Sequence, residues 1–226
     1  MIATPFSLFR QFDDRLQIAL FTKSDDIQSD TDAAKCLHVQ SATGLHQMHG
    51  KRTVIIRTSS NRTEEADGMI TDTPDLALCC RSADCQNFVV YAPEHGVVGA
   101  LHVGWRGVVA GAIPEFFAVM KREWGILPSQ TFVGAGPSLC QKCAEFSDPK
   151  NELPSLSPTF IDGKCVNLQG AATQQFLDCG VEPGHIERHP DCTRCHPETY
   201  WTYRGGDLEA VKQGHTNMLA CALRRE

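Results

Sequence analysis

Three short, almost continuously apolar runs lie close together in the middle of the chain: Leu76 to Cys80, Asn87 to Tyr91 and Val97 to His102. They are rich in β-branched residues and have Gly or Pro residues at their boundaries, which favours strands. Because nearly every position is apolar, both faces of these strands should be buried. A chain with such strands needs a covering layer on each side of its sheet.

Further strands are predicted on both sides of this central region. They are Leu16 to Thr22, Thr53 to Arg57, Thr131 to Val133 and Leu219 to Leu223. Helical spacing predicts a helix over Gly107 to Trp124, with Pro114 in its first turn or at a kink and Gly125 at its end. A second helix is predicted over Asn167 to Cys179, with Asn167 as N-cap.

The remaining segments are predicted to be short or irregular. Ser29 to Thr43 is expected to hold a short helix, and Lys23 to Asp32 and Pro149 to Pro158 are expected to be loops. Ala66-Asp67-Gly68 is expected to form a turn, because Asp bonds its own backbone and Gly accepts a positive φ.

The order of these elements indicates an α+β (mixed α/β) fold, with mixed sheets flanked by helices in a layered sandwich. No repeat, low-complexity tract or linker interrupts the 226 residues. We therefore expect one domain over residues 1–226, since this length suits a single well-cored unit.

Composition excludes several function classes. The formal net charge of -6 offers no basic field for nucleic acid or an anionic membrane. No apolar run is long enough to span a bilayer, and the N-terminus lacks the pattern of an export signal. Eleven cysteines without an export signal favour reduced thiols over a disulfide framework. A cytoplasmic protein is expected.

One histidine follows Gln47-Met48 in a glycine-closed turn, and a cysteine and a second histidine lie at two neighbouring apolar runs. These are His49, Cys85 and His102. Zinc accepts thiolate and imidazole together, and catalytic zinc sites keep three protein ligands with a fourth position for water. The residues are far apart in sequence, so their spacing also fits a buried thiol and two core histidines.

Two charged residues next to this set are candidates for roles in a site. Asp84 precedes Cys85 and is expected to orient a histidine rather than to bind a metal, because alternation along a strand points it away. Arg106 lies between Trp105 and Gly107 and is a candidate holder of an oxyanion. A structural arginine fits the sequence equally well, and Trp105 is expected in the core.

Four more cysteines form two Cys-x-x-Cys pairs, Cys140 with Cys143 and Cys192 with Cys195. Paired knuckles of this kind build four-thiolate zinc sites, usually with about 15–20 residues between the pairs. The much longer separation here favours buried or redox-inactive thiols over a structural metal. Tyr203-Arg204 is a candidate for the mouth of a pocket.

Taken in order, several short motifs resemble one known family. They are Gln47-Met48-His49-Gly50, Ala66-Asp67-Gly68, Ala83-Asp84-Cys85, His102-Val103-Gly104-Trp105-Arg106-Gly107 and Gly136-Pro137-Ser138. The chain resembles the single-domain laccase-like family, whose members are named polyphenol oxidases or purine nucleoside phosphorylases. The match runs from about Thr53 to the C-terminus.

The resemblance implies a Zn²⁺ ion on His49, Cys85 and His102, and an enzyme that acts on purine nucleosides. The implied reactions are phosphorolysis of adenosine, inosine, guanosine and methylthioadenosine, and deamination of adenosine. It implies catalytic roles for Cys85, Asp84 and Arg106, and places Arg106 and Gln47 with the nucleoside and phosphate. Arg81 stands where the family has a small residue, so it is expected either to help bind substrate or to block the site.

The N-terminal part departs from the family pattern, since Phe21-Thr22-Lys23-Ser24 has no arginine and no glycine pair follows. Lys23 is expected to be at best a weaker substitute for an anion-binding arginine.

Three alternative functions stay open. A copper-dependent polyphenol oxidase is disfavoured because nine histidines without His-x-His pairs do not supply the several copper sites it needs. A hydrolase with Cys85 as nucleophile and His102 as base is the second alternative. A non-catalytic, zinc-stabilised binding domain is the third.

Overall fold

The computed structural model describes residues 1–25, 27 and 29–225. Thirteen strands lie in this part of the chain: β1 Ile2–Ala3, β2 Leu16–Phe21, β3 Ser41–Thr43, β4 Thr53–Ile55, β5 Gly68–Thr71, β6 Leu76–Ser82, β7 Gln86–Ala92, β8 Val97–Val103, β9 Phe132–Ala135, β10 Ile161–Asp162, β11 Cys165–Val166, β12 Ile186–Arg188 and β13 Asn217–Leu223.

Six α-helices accompany these strands in the described residues: α1 Asp30–Leu37, α2 Trp105–Ala110, α3 Ala112–Trp124, α4 Pro149–Glu152, α5 Leu168–Cys179 and α6 Leu208–Lys212. Short 3₁₀ turns occur at Ser7–Phe12, Lys23–Asp25, Pro128–Gln130, Gln141–Cys143, Pro158–Phe160 and Pro183–His185. No described helix is both long and apolar enough to cross a bilayer.

Two mixed sheets hold eleven of the strands, and β10 and β11 form a separate hairpin. The five-stranded sheet has the order β1-β2-β13-β6-β3, and the six-stranded sheet has the order β12-β9-β7-β8-β5-β4. Three of the four outer pairs, β3·β6, β4·β5 and β9·β12, are parallel, whereas the outer pair β1·β2 and the central pairs are antiparallel.

The central core lies between the two sheets. Leu78 and Leu219 of the five-stranded sheet share one buried cluster with Val89 and Ala100 of the six-stranded sheet. Alternate residues of the same strands face outwards and are also buried, which explains why β6, β7 and β8 are apolar at almost every position.

Helices cover the outer faces of both sheets. Ala33 and Leu37 of α1 pack on Cys79 and Ala220 of the five-stranded sheet. On the six-stranded sheet, a second cluster contains Phe116 of α3 and Phe176 of α5. The result is a layered α+β sandwich, and the predicted fold class is confirmed.

The helix predicted over Gly107 to Trp124 is confirmed at every position except Gly111, but it consists of two helices rather than one. The helical region begins at Trp105 and is divided into α2 and α3 at Gly111, whose φ of 77° ends the first helix. Pro114 lies in the first turn of α3, and Gly125 ends it with φ 70°, both as predicted. The helix α5 is capped by Asn167, which accepts from the Gly170 N–H at 2.8 Å.

Two other predictions need correction. The loop expected over Pro149 to Pro158 contains α4, because Asp148 caps it and Leu153 is buried behind it. The helix expected over Ser29 to Thr43 ends at Leu37, since His38 adopts a left-handed conformation and β3 follows. Within the predicted loop Lys23 to Asp32, Asp26 and Gln28 lie outside the described residues.

The turn predicted at Ala66-Asp67-Gly68 is also wrong. Gly68 is the first residue of β5, and Asp67 bonds other segments rather than its own backbone. The glycine is required by packing: a Cβ at Gly68 would lie 2.3 Å from Thr53 Oγ1 and 3.1 Å from the Phe116 ring.

Two connections between the sheets carry candidate site residues. The segment from β3 to β4 contains His49, and the segment from β6 to β7 contains Asp84 and Cys85. Both segments therefore run from the five-stranded sheet to the six-stranded sheet.

Candidate metal centre

Strand pairing brings Cys85 next to His102. Gln86 pairs with Val103 and Asn87 pairs with His102 in the antiparallel β7·β8 ladder, so Cys85 lies beside the end of β8. His49 reaches the same place from its connection, in a left-handed conformation with φ 58°.

The three predicted ligands converge. One donor atom each from His49, Cys85 and His102 lies within 4.8 Å of the other two. The two imidazole rings meet edge to face, with centroids 4.8 Å apart. Gly104 makes room for the group, because a Cβ there would lie 3.0 Å from the His49 ring and 3.1 Å from Cys85 Sγ. Thiolate and imidazole donors at this spacing fit a tetrahedral metal ion such as zinc.

Asp67 holds both histidines in position. Its Oδ1 accepts from His102 Nδ1 at 2.9 Å and from the His49 backbone N–H at 2.9 Å, and its Oδ2 accepts from the Gly50 N–H at 2.7 Å. The carboxyl is 1% exposed. A carboxylate that accepts from Nδ1 fixes the tautomer of His102 and leaves Nε2 for a metal.

The charges of this group support one another. Burial opposes ionisation of Cys85, but hydrogen bonds from His102 and His49 outweigh it and lower the thiol pKa to about 6. Burial also opposes protonation of His102, yet hydrogen bonds to Asp67 and Cys85 raise its pKa to about 9. Burial raises the pKa of Asp67, and the contacts with His102, Gly50 and His49 reverse this to a net lowering. Cys85 thus has the thiolate character of a metal ligand.

A cavity of about 630 Å³ opens beside the three donors, within the range of about 300–1,000 Å³ that small-molecule sites occupy. Most of its exposed wall is apolar. Apolar side chains on that wall are Leu45, Val103, Leu139, Phe146, Leu168 and Val211.

Asp84 lines this cavity but does not orient a histidine, so that prediction is corrected. Its Oδ1 accepts from the hydroxyls of Thr193 at 2.7 Å and Thr202 at 2.6 Å, and its Oδ2 accepts from the Arg204 N–H at 2.7 Å. Asp84 lies after the end of β6 with φ 92°, so strand alternation does not set its direction. Asp84 directly precedes Cys85, so these hydrogen bonds connect the C-terminal segment to the start of the metal centre.

Arg106, Gln47 and Arg81 also line the cavity. Arg106 is exposed and stacks on Trp105, with its guanidinium carbon 4.2 Å from the ring centroid. Gln47 donates to the Arg81 carbonyl at 2.7 Å and accepts from the Arg81 N–H at 3.0 Å. The Arg81 guanidinium lies 3.6 Å from Asp30. Trp105 is half-buried against Phe146, as part of the wall rather than of the interior.

Lys23 does not take the place of a missing arginine at the cavity. Its Nζ contacts Asp207 at 2.6 Å and the Pro197 carbonyl at 2.7 Å, and it stacks on Trp201. Tyr203 and Arg204, by contrast, line the cavity as expected of a pocket mouth.

Some residues of the site were missed from the sequence. Asp67 is the main one, because the sequence pattern Ala-Asp-Gly predicts a local turn for it. A metal-ligating histidine usually needs a carboxylate partner, and that requirement is the signal that points to such a residue. Leu139, Phe146 and Leu168 gave no signal, since nothing distinguishes cavity-lining apolar residues from core residues in a sequence.

The four cysteines of the two Cys-x-x-Cys pairs also come together, although their separation in the sequence favours buried or redox-inactive thiols over a metal site. One sulfur from each of Cys140, Cys143, Cys192 and Cys195 lies within 4.8 Å of the others. Sequence separation was misleading because the pairs follow β9 and β12, which are neighbours in the sheet.

Several proteins with related sequences are named as enzymes that act on nucleosides. The chain is 30% identical over 163 residues to a purine nucleoside phosphorylase of Bacteroides thetaiotaomicron, covering 66% of this chain and 60% of the relative. It is 30% identical over 148 residues to purine nucleoside phosphorylase YlmD of Geobacillus stearothermophilus, covering 61% and 54%. It is 26% identical over 153 residues to adenosine deaminase RL5 of an unknown prokaryotic organism, covering 62% and 57%. The matches thus span little more than half of each relative.

The fold has a solved counterpart. The crystal structure of YlmD from Geobacillus stearothermophilus superposes with a TM-score of 0.80 at 23% identity, over 98% of this chain and 94% of that one. A family model described as multi-copper polyphenol oxidoreductase laccase matches residues 24–221. The chain therefore belongs to this laccase-like family, as its motifs indicate.

Proposed function

We propose that the protein is a zinc-dependent enzyme acting on purine nucleosides, with His49, Cys85 and His102 as the metal ligands. Phosphorolysis of adenosine, inosine, guanosine and methylthioadenosine is the main proposed activity, and deamination of adenosine is the second. The observation that carries the proposal is the convergence of three metal donors at the wall of an apolar cavity. Relatives named for these two reactions support the choice of substrate class.

Zinc is proposed rather than copper because of the donor sets in the described residues. A phenol oxidase of the multicopper type needs a histidine-rich cluster for oxygen in addition to a thiolate site. The only other described group of suitable donors consists of four cysteines and contains no histidine. This composition suits zinc and leaves copper oxidation as the weaker alternative.

The residues around the donors have separate tasks. A bound zinc ion supplies a Lewis acid and lowers the pKa of coordinated water towards neutrality. Asp67 holds His102 in one tautomer, and Cys85 supplies the anionic ligand. The apolar side chains of Leu139 and Phe146 line the cavity, where they would pack against a purine ring and exclude water from it.

Arg106 is proposed to bind the phosphate. Its guanidinium lies at the cavity and makes no ion pair with a described carboxylate, so its donors are available to an anion. Stacking on Trp105 fixes its direction. Gln47 and Arg81 are proposed to shape the substrate side of the cavity together, because the Gln47 amide holds the Arg81 backbone. Asp84 is a positioning residue for the segment that carries Arg204.

The test is a product assay on the zinc-loaded protein. With inosine and phosphate, we expect hypoxanthine and ribose 1-phosphate, and with adenosine we expect adenine or inosine; chromatography separates all of them. Cys85→Ala should lose at least 100-fold in kcat/KM, on the scale of removing a group on which chemistry depends. His95→Ala, at an exposed turn far from the donors, should keep full activity.

The alternatives give different results. Turnover of phenols that follows copper content would support the oxidase. Ester or amide hydrolysis that survives zinc removal and needs Cys85 would support the hydrolase. A zinc-loaded protein that forms no product from any of the four nucleosides would leave a binding domain and end the proposal.

A further inference from the structure

Two Cys-x-x-Cys turns face each other outside the candidate metal centre. The first turn, Cys140 to Cys143, follows β9, and the second, Cys192 to Cys195, follows β12. These strands are parallel neighbours, with Ile186 opposite Val133. Because parallel neighbours end at the same edge of a sheet, both turns leave the six-stranded sheet side by side.

The two turns have the same backbone hydrogen bonds. The Cys140 carbonyl accepts from the N–H groups of Cys143 and Ala144, both at 3.0 Å. The Cys192 carbonyl accepts from those of Cys195 and His196, both at 3.1 Å. The Cys140 N–H also donates to Cys192 Sγ at 3.2 Å, so one turn already bonds a sulfur of the other.

The sulfur spacing fits a tetrahedral ion. Cys143 Sγ and Cys195 Sγ are 3.6 Å apart, and all four sulfurs lie within 4.8 Å of one another. Four thiolates at about 2.3 Å from a zinc ion are about 3.8 Å apart along each edge of the tetrahedron. All four thiols are free, so no disulfide competes for them.

We propose that Cys140, Cys143, Cys192 and Cys195 bind a second, structural zinc ion that fastens the two turns together next to Leu139, which lines the cavity. Four protein ligands close the coordination shell, which leaves no position for substrate. The site is therefore separate in kind from the three-donor centre.

The position of the second site gives it a role in shaping the cavity. The Leu139 N–H, next to the first turn, donates to the Asp84 carbonyl at 3.2 Å, and Thr193 of the second turn donates to the Asp84 carboxylate. The Arg204 guanidinium contacts the Cys143 carbonyl. A zinc ion between the turns would hold Asp84, the residue before Cys85, at a fixed place.

Metal content tests the proposal directly. Protein purified with a thiol reductant should contain two zinc ions per chain by elemental analysis, and Cys85→Ala should contain one. The double variant Cys143→Ser/Cys195→Ser should also lose one zinc ion. Cys36→Ser, which changes an exposed cysteine of α1 outside both groups, should keep two.

Cobalt substitution identifies the ligands even if the double variant folds poorly. In the Cys85→Ala background, the remaining cobalt should show the intense thiolate-to-metal absorption of a tetrahedral four-sulfur site. Cys195→His in that background should keep the metal with a weakened sulfur absorption, because imidazole also binds zinc and cobalt.

Three results would overturn the proposal. They are two zinc ions retained in the double variant, a Cys85→Ala protein without metal, and a Cys143–Cys195 disulfide in reductant-treated wild-type protein by mass spectrometry. Failure of the nucleoside assay would not change the number of zinc ions bound per chain, so the two proposals fail independently. As a structural readout, removal of the second zinc should increase hydrogen exchange over residues 139–146 and 192–204.

Discussion

Asp67 serves both histidines of the candidate centre with a single carboxylate. One oxygen joins the His102 ring to the His49 backbone, and the other holds the Gly50 N–H. Contacts of this kind raise the basicity of a ligating imidazole and fix its orientation, and their removal typically weakens metal affinity about 10–100-fold.

Asp67→Asn is therefore expected to weaken zinc binding at the three-donor centre by about 10–100-fold. The amide retains one acceptor oxygen but loses the charge that favours the metal-bound imidazole. Competition with a chromophoric chelator measures the affinity, and the Cys143→Ser/Cys195→Ser background isolates this centre from the second group.

Asp162→Asn provides the control, because it removes the same charge at an exposed position of the β10–β11 hairpin. Its zinc affinity should match that of the parent. Equal affinities for the Asp67 variant and the parent would show that the carboxylate plays no part in metal binding.

At this scale the sequence revealed residue types but not partners. His49, Cys85 and His102 were identified because few side chains bind zinc, and the structure brings them together. The sequence predicts that Asp84 orients a histidine, but Asp67 does so and Asp84 instead bonds the C-terminal segment. The direction of a carboxylate depends on backbone angles such as the φ of 92° at Asp84. No local pattern encodes that angle.

At the scale of elements, the parallel pair β4·β5 lies close under α3. The first residue of β5, Gly68, pairs with Thr53 of β4 and faces the Phe116 ring of α3. A Cβ there would meet Thr53 Oγ1 at 2.3 Å, well inside van der Waals contact. The absence of a side chain lets helix and strands approach.

Gly68→Ala should destabilise the protein by about 1–3 kcal/mol, the usual cost of forcing extra atoms into a packed interior. Thermal unfolding should show a Tm lower by about 2–4 °C for each kcal/mol in a chain of this size. Replacing Thr53 with Ala in the same protein removes the Oγ1 clash and should recover part of the loss.

Gly184→Ala is the matched control, because a Cβ at Gly184 has no neighbouring atom within 4 Å. Its Tm should stay within about 1–2 °C of the parent, as expected for surface changes near ±0.5 kcal/mol. An unchanged Tm for Gly68→Ala would mean that strands and helix are spaced more widely than described.

Elements were more predictable than contacts. The strands β6, β7 and β8 and the helix α5 followed from apolar runs and an N-cap, which act locally. The short edge strands β4 and β12 depend on pairing partners elsewhere in the chain, whereas the division of the helix at Gly111 depends on the positive φ of one glycine. Their bounds were accordingly missed or misplaced.

At the scale of the whole molecule, we propose that residues 1–226 form one domain. The central core contains side chains of both sheets, from Leu16 near one end of the chain to Leu223 near the other. Strand β13 lies between β2 and β6, so both ends of the chain belong to the same sheet.

Denaturant unfolding in excess zinc should therefore give one transition, with coincident midpoints for tryptophan fluorescence and far-ultraviolet circular dichroism. The three tryptophans report on different parts: Trp105 on the cavity, Trp124 on α3 and Trp201 on the C-terminal segment. Separate midpoints for the two signals would indicate independently folding parts.

The passage of the chain from one sheet to the other at His49 and Cys85 has a mechanical consequence. The third donor, His102, belongs wholly to the six-stranded sheet, so the distances among the three atoms register any sliding of one sheet over the other. Repacking of the interlayer far from the cavity, for example at Leu78 or Val89, should alter the ligand field of a cobalt ion held there. The absorption spectrum of the bound cobalt would then report changes in the packing between the two sheets.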